Sequence, residues 1–364
     1  MRSRQDHPVS FALAAFWCAV LLVVFAWVDH GPQRAAAQPA AVDPVPRPAA
    51  TGKRVLIISI DGLRPDLALL ADAPNIRSLI KEGAYSLWAQ TLPIGRTLPS
   101  HTSMMTGVPM EKHGIIWNDD IPLRPRKYNF PHVPTLFEFA RKAGYSTSLV
   151  AGKCKFEALA EPGVVDWVVL PEKPKKIGPD GKPIVPPKPD ADGMTPYDHK
   201  HDDAWIASEA AAIIAKHKPH VMLVHFPRVD TAGHAKGWGS PVQLEAIARA
   251  DEALGTVLET LRKTKLFDNT LIILTADHGG YGKGHDGKDP RGLHIPWIAR
   301  GPGVKKGYDL TQNKLVINTM DTFATAAMHL GIKLTAEDEI EGKPVGDAFE
   351  SAPRSAAAPG SDTE

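Results

Sequence analysis

The 364-residue chain has only two cysteines, Cys18 and Cys154. Cys18 lies inside an apolar run near the N-terminus, so Cys154 stands alone in the remainder and no intramolecular disulfide can staple the fold, even in an oxidising compartment. Stability has to come from packing, and a lone thiol is read as buried filler rather than as a ligand. Charge of one sign is missing too: 42 Lys and Arg oppose 41 Asp and Glu, a net charge of +1. Such a chain has no overall field with which to gather nucleic acid, and no duplex binding is expected. No internal repeat is present. One long uncharged apolar stretch exists, residues 10–28 (SFALAAFWCAVLLVVFAWV), preceded by Arg2 and Arg4. At a helical rise of about 1.5 Å per residue it reaches nearly across a bilayer. It exceeds the usual signal-peptide core of about 7 to 15 residues, which favours an uncleaved anchor over a signal peptide cut near Ala35 to Ala37. The positive residues ahead of it hold that end in the cytoplasm and send the rest across. The chain is therefore expected to be exported to the periplasmic or extracellular side, either anchored or secreted, with the membrane as a partner through residues 1–28.

Large apolar residues are scarce between 29 and 52, an Ala/Pro-rich tether that cannot bury a core. Order is expected from Lys53, with one domain over 53–350 and a disordered tail over 351–364. Arg54 to Ile60 (RVLIISI) is a short, continuous β-branched run, as a strand covered on both faces requires, and it ends in Asp61-Gly62. Similar runs occupy 146–151, 164–170, 220–226, 270–275 and 295–299. Amphipathic helical patterns fall at 134–143, 203–217 and 242–263. Strand and helix alternate, so the fold class is α/β with a mostly parallel sheet between helical layers. The Pro- and Lys-dense stretch 171–189 breaks the rhythm and reads as a surface excursion.

In open α/β sheets ligands bind beyond the carboxyl ends of the strands, so polar residues that directly follow apolar runs carry the chemistry. Asp61 follows the first run; Asp230 and His234 follow the fourth in HFPRVDTAGH; Asp277 and His278 follow the fifth in ILTADHGG; His285 and His294 come next. A single strand-terminal Asp is more often a turn former or helix cap. Three of them converging on one rim would repel unless a cation neutralised them, and carboxylates with imidazoles suit a pair of divalent ions, zinc above all. Thr97 opens TLPSHTSMMTG, where its hydroxyl is either a plain N-cap or a nucleophile activated by a metal at a helix start that favours phosphate oxygens.

The ordered set IDGLRPD, TLPSHTSMMTG with HGIIWND, DTAGH and ADHGG resembles the alkaline phosphatase superfamily, and within it the type I phosphodiesterase and nucleotide pyrophosphatase family. The resemblance runs from Arg54 to the EGKPVGD segment. It implies an alkaline-phosphatase-like three-layer αβα sandwich with a loop-built cap. It further implies two zinc ions, one on Asp61, Thr97, Asp277 and His278, the other on Asp230, His234 and a third histidine, for which His285 is preferred and His294 is the rival. Thr97 would be the nucleophile, through a threonyl-phosphate intermediate, and Asn118 would donate to a phosphoryl oxygen. His113 is read as structural.

Thr97, Pro99 and His101 depart from the Cys/Ser-x-Pro-x-Arg pattern of sulfatases, and the chain has little room for the inserted domain of the phosphoglycerate mutases. The expected substrates are small phosphodiesters or nucleotide pyrophosphates. Lys153 and Lys155 in AGKCKFEAL support an alternative, since a Lys-x-Lys pair in a comparable place serves threonine-type monoesterases and phosphonoacetate hydrolases, where it meets an additional negative charge on the substrate. Two lysines facing water are the plain reading. A catalytically inactive, anchored binding protein on the same fold is the third, disfavoured because each expected ligand type is present.

Overall fold

The computed structural model describes residues 50–118, 129–172, 182, 184–185, 187–285 and 287–350. The apolar segment 10–28, nearly all of the tether, the tail 351–364, and most of the excursions at 121–132 and 171–189 lie outside the described residues. No helix among those described is long and apolar enough to cross a membrane.

Eight strands form one sheet: β1 (Arg54–Ile60), β2 (Ala84–Gln90), β3 (Thr147–Ala151), β4 (Trp167–Val169), β5 (Val221–Phe226), β6 (Thr270–Thr275), β7 (His294–Arg300) and β8 (Tyr308–Asp309). Their order is β4-β3-β5-β1-β6-β7-β2-β8. All neighbours pair in parallel except β7, which runs against both β6 and β2. β1 occupies the centre because its apolar run meets two others in register, Val55 opposite Val221 on one side and Leu271 on the other. Every residue of β5 and β6 is buried, so both sheet faces are covered, as the unbroken apolar runs require.

The longer helices are α1 (Pro74–Glu82), α2 (Thr97–Thr106), α3 (Leu136–Lys142), α4 (Asp203–His217), α5 (Arg228–Lys236), α6 (Pro241–Lys263) and α7 (Asp321–Leu330). Local chemistry starts them. Thr135 and Glu138 close a capping box on α3, Asp202 accepts the Trp205 N–H at the head of α4, and Ser240 accepts that of Gln243 ahead of Pro241-led α6. The start of α1 has no cap of its own. Asp251, buried on α6, supplies it across 175 residues of sequence, accepting the Ile76 N–H at 2.7 Å and the Asn75 N–H at 3.0 Å.

The sequence expectation holds for the runs at 54–60 and 270–275 and for the helix at 203–217, with shorter or shifted ends elsewhere: the strand expected over 164–170 contracts to β4. β2, β8, α1 and α7 were not anticipated. β2 (AYSLWAQ) is near the sheet edge and half exposed, so it lacks the continuous apolar run of its neighbours.

The direction of β7 matters for the site. Five strand ends, those of β1, β2, β3, β5 and β6, reach one rim at their carboxyl termini. Because β7 runs the other way, its N-terminal end returns there, and the segment that leads into it can face the same cluster.

Candidate active site

β1 ends at Asp61, and β5 leads through Pro227 into α5, which carries Asp230 and His234 one turn apart. β6 ends at Asp277-His278, β3 at Gly152-Lys153, and β2 leads through the 91–96 loop to Thr97 at the first position of α2. The fold thus brings together Asp61, Asp230, Asp277, His278 and His285 as buried side chains, with His234 half exposed at the rim.

Three histidines share one arrangement. Nδ1 of His278 donates to Gly279 O (2.8 Å), that of His285 to Gly95 O (2.6 Å), and that of His234 to Lys283 O (3.0 Å). A carbonyl can only accept, so the proton sits on Nδ1 and each Nε2 lone pair faces the cluster. There His278 Nε2 lies 3.3 Å from both Asp61 Oδ1 and Asp277 Oδ2, His234 Nε2 3.2 Å from Asp230 Oδ1, and His285 Nε2 3.8 Å from the same oxygen. Asp61 Oδ1, Asp230 Oδ1, Asp277 Oδ2 and His278 Nε2 are all buried without a hydrogen-bond partner. Lone pairs facing lone pairs at this range repel, and one added proton cannot serve three carboxylate oxygens. Divalent cations would satisfy all four atoms at once. Two sets have ligand atoms within 4.8 Å of one another, Asp230 with His234 and His285, and Asp61 with Asp230 and His278. The donor set fits a pair of such ions.

The structure separates the two candidate third histidines. His294 begins β7 and stacks on Trp88 at 4.1 Å, on a face shared with Arg64 and Leu87, away from the cluster.

Thr97 is buried and is the first helical residue of α2; Arg96 takes the N-cap place and makes no capping bond with its own side chain. The N-cap reading of Thr97 is therefore not what the fold uses. Its loop is tied to the cluster through Gly95, whose carbonyl holds His285 and where a Cβ would stand 3.0 Å from His278 Cβ. Asn118 reaches the same helix start. Its Oδ1 accepts from Leu98 N at 2.9 Å and from Lys155 Nζ at 3.1 Å, which fixes the amide orientation and leaves the Nδ2 hydrogens to donate elsewhere. His113 donates to or accepts from Ser103 Oγ at 3.0 Å and is fully buried, a packing role as expected.

Lys153 Nζ bridges Asp61 Oδ2 and Asp230 Oδ2, each at 2.7 Å. Both carboxylates thus commit one oxygen to the ammonium and turn the other into the cluster. Burial opposes ionisation of Asp61, but Lys153 and His225 outweigh it and hold the carboxyl well below its ordinary range. Burial and the Asp61 charge instead push Asp277 up to about 7. Burial, with the Lys153 charge beside it, brings the Lys155 ammonium down to about 8. Both lysines are partly buried and engaged, Lys153 by the two carboxylates and Lys155 by Asn118.

Several residues have supporting roles that the sequence reading did not assign. His225 accepts the Gly152 N–H on Nδ1 and donates from Nε2 to Asp61 Oδ2 at 2.9 Å. His101 donates from Nδ1 to Thr97 O and accepts from Ser59 Oγ. Both sit inside regular elements, where a histidine carries no positional signal. Trp238 donates its indole N–H to Gly62 O at 2.8 Å and fills a slot lined by the motif glycines Gly62, Gly233 and Gly280. A Cβ on Gly280 would stand 2.1 Å from Trp238 Cε2. Gly280→Ala is expected to displace the indole and the strand ends it spans. Zinc affinity measured by competitive chelation should fall roughly 10- to 100-fold, the range for loss of groups that orient ligands; an unchanged affinity would show that the slot does not align the cluster.

Asp203, at the head of α4, is buried with Oδ1 on the Arg228 N–H and Oδ2 without a partner. Burial raises its carboxyl to about 7, against the hydrogen bond and charge of Arg228. The native state then binds more protons than the unfolded chain between pH about 4 and 7, and this group's contribution to stability declines as pH rises through that window. Asp203→Asn should raise Tm relative to the parent at pH 8 and not at pH 5, read by calorimetry at fixed metal saturation; equal shifts at both would count against the buried acid.

A family model described as type I phosphodiesterase/nucleotide pyrophosphatase matches residues 55–281. The human ectonucleotide pyrophosphatase/phosphodiesterase family member 5 is 25% identical over 232 residues, 62% of this chain and 45% of that protein. A bovine bis(5'-adenosyl)-triphosphatase is 24% identical over 64% of this chain and 48% of its own. The chain thus spans less than half the length of these relatives. Among solved structures, an inactive threonine-to-alanine variant of the murine ectonucleotide pyrophosphatase/phosphodiesterase 5, in complex with AMP, superposes with a TM-score of 0.62 at 15% identity, covering 82% of this chain and all of that one.

Proposed function

The chain belongs to the type I phosphodiesterase/nucleotide pyrophosphatase family, and from that premise we propose that it hydrolyses phosphodiester or nucleotide pyrophosphate bonds with the Thr97 hydroxyl as nucleophile. The observation that carries the reading is the convergence of unpartnered carboxylate oxygens and a histidine nitrogen beside the helix start that Thr97 opens. Asp61, Thr97, Asp277 and His278 would hold one divalent ion and Asp230, His234 and His285 the other, zinc being the ion these donors suit. Such a pair, when bound, neutralises phosphate charge and makes an alcohol more acidic.

The rest follows from the protein's own groups. The 91–96 loop fixes Thr97 at the head of α2, whose positive end favours phosphoryl oxygens, although the Leu98 N–H is taken by Asn118 and Pro99 has none. Asn118 offers its Nδ2 hydrogens to a non-bridging oxygen, and Lys155 holds that amide in place from behind. Attack forms the threonine oxygen to phosphorus bond as the bond to the leaving oxygen breaks; water then cleaves the threonyl-phosphate and returns the hydroxyl. The AMP of the murine neighbour and the name of the bovine relative support a nucleotide as the class of substrate. The uncharged segment 10–28 supports export with the domain beyond the membrane's inner face.

A monoester or phosphonate substrate is the second reading, favoured by Lys153 and Lys155 lining the same cavity as Asn118. Turnover of bis-p-nitrophenyl phosphate against p-nitrophenyl phosphate decides between them. We expect the diester to be preferred by at least about tenfold in kcat/KM, roughly 1.4 kcal/mol in barrier. A strong monoester preference that disappears in Lys153→Ala would reverse the order of the two readings, and zinc well below one per chain with no hydrolysis of either would favour an inactive binding protein.

A further inference from the structure

Beside the cluster a cavity of about 580 Å³ opens between the end of β3, the start of α5 and the 194–202 segment. Its volume lies in the range of about 300–1,000 Å³ common for small-molecule sites. Three cations line it: Lys153, Lys155 and Arg228. Lys153 is committed to Asp61 and Asp230, and Lys155 to Asn118. Two of its acids are committed as well, Asp198 to the Thr195 cap and Asp202 to the head of α4.

Arg228 is placed differently. It is 6% exposed, yet its Nε has no hydrogen-bond partner. Two carboxylates lie near it without bonding that nitrogen: Asp192 forms an ion pair with Nη2 at 3.8 Å, beyond hydrogen-bonding range, and buried Asp203, which takes the Arg228 backbone N–H, feels its charge while its own Oδ2 stays without a partner. A buried guanidinium with unmatched donors is costly to keep, and its planar fork matches a carboxylate or phosphate group. Arg228 also precedes Asp230 by two residues on α5, about 200° around the helix, so the two side chains leave the helix on different sides while Lys153, bonded to Asp230, lines the same cavity as Arg228.

We propose that Arg228 anchors a second oxyanion of the substrate, a carboxylate or phosphate group set apart from the phosphorus that reacts at the cluster. This rests on the hydrolase reading above and narrows it: the preferred ester carries two anionic centres, one at the metals and one at Arg228.

The test is kcat/KM for four p-nitrophenyl aryl phosphates whose aryl group is phenyl, 3-carboxyphenyl, 3-phosphonophenyl or 3-trimethylammoniophenyl. In the parent enzyme the better anionic ester should exceed the phenyl ester by roughly 10- to 100-fold, as expected of a charge-assisted pair. Whether carboxylate or phosphonate leads identifies the oxyanion. In Arg228→Met the ratio should fall to within about threefold of one, with Arg228→Lys between. A ratio near one in the parent, or one that survives in folded Arg228→Met, overturns the proposal. Should Arg228→Met not fold, the cationic ester decides in the parent alone, since turnover above that of the phenyl ester would also overturn it. If the parent cleaves none of the four, the hydrolase reading fails separately. Calorimetric binding of 3-carboxyphenylphosphonate and phenylphosphonate to parent and variant then judges Arg228 on its own: an Arg228-dependent preference upholds the subsite and no preference rejects it.

Discussion

Thr97→Ala, measured at saturating zinc, should lower kcat by at least about three orders of magnitude while the protein remains folded, because on the proposed mechanism the substitution removes the attacking oxygen and little else. Thr97 is buried but is not the cap of α2, so no N–H is orphaned by its loss. The loop that positions it is held through Gly95 O, which accepts from His285, and the Thr91 hydroxyl, which donates to Asp277 O, contacts that the substitution leaves alone. Tm should therefore move by only a few degrees. Thr97→Ser keeps an alcohol at the same place and should retain far more activity than the alanine variant. Full turnover in metal-loaded Thr97→Ala would dismiss the threonine as nucleophile; a loss shared equally by alanine and serine variants would point to packing instead.

Chelation should have the second large effect, on stability and turnover together. With ligand at about 1,000 times Kd, each bound ion stabilises the native state by roughly 4 kcal/mol, so stripping two should lower Tm by on the order of 10 °C for a domain of this size. Activity should drop to background and return on adding zinc. The stripped protein should still fold, since Lys153 continues to offset Asp61 and Asp230 from 2.7 Å. Chelated Lys153→Met has no such cation, and its Tm should fall further than that of the chelated parent. A Tm unmoved by chelation, with metal loss verified, would mean that the buried oxygens do not hold ions.

Much of the site was legible because strand ends are local events. A β-branched run that closes on Asp-Gly or Asp-His announces both a strand and the residue at its rim, so Asp61, Asp277 and His278 could be collected before any packing was known, and Asp230 a few residues beyond the run at 220–226. Strand β2, next to the sheet edge and only partly buried, gave no such run. Asp251, which caps α1 from a distant helix, was hidden because an acid in an amphipathic helix reads as solvated surface until its partners are seen.

The chain's own order of residues settled the α/β class, the strand at 54–60 as one covered on both faces, and the kinds of ligand available, since these depend on hydrophobic runs and on what immediately follows them. Tertiary structure placed His285 Nε2 3.8 Å from Asp230 and His294 against Trp88, a difference that two histidines of one short segment could not show in sequence. It also decided that Lys153 bridges two carboxylates and that one indole packs over glycines from three motifs. Those relations join residues tens to hundreds of positions apart, and only the closed sheet fixes their distances.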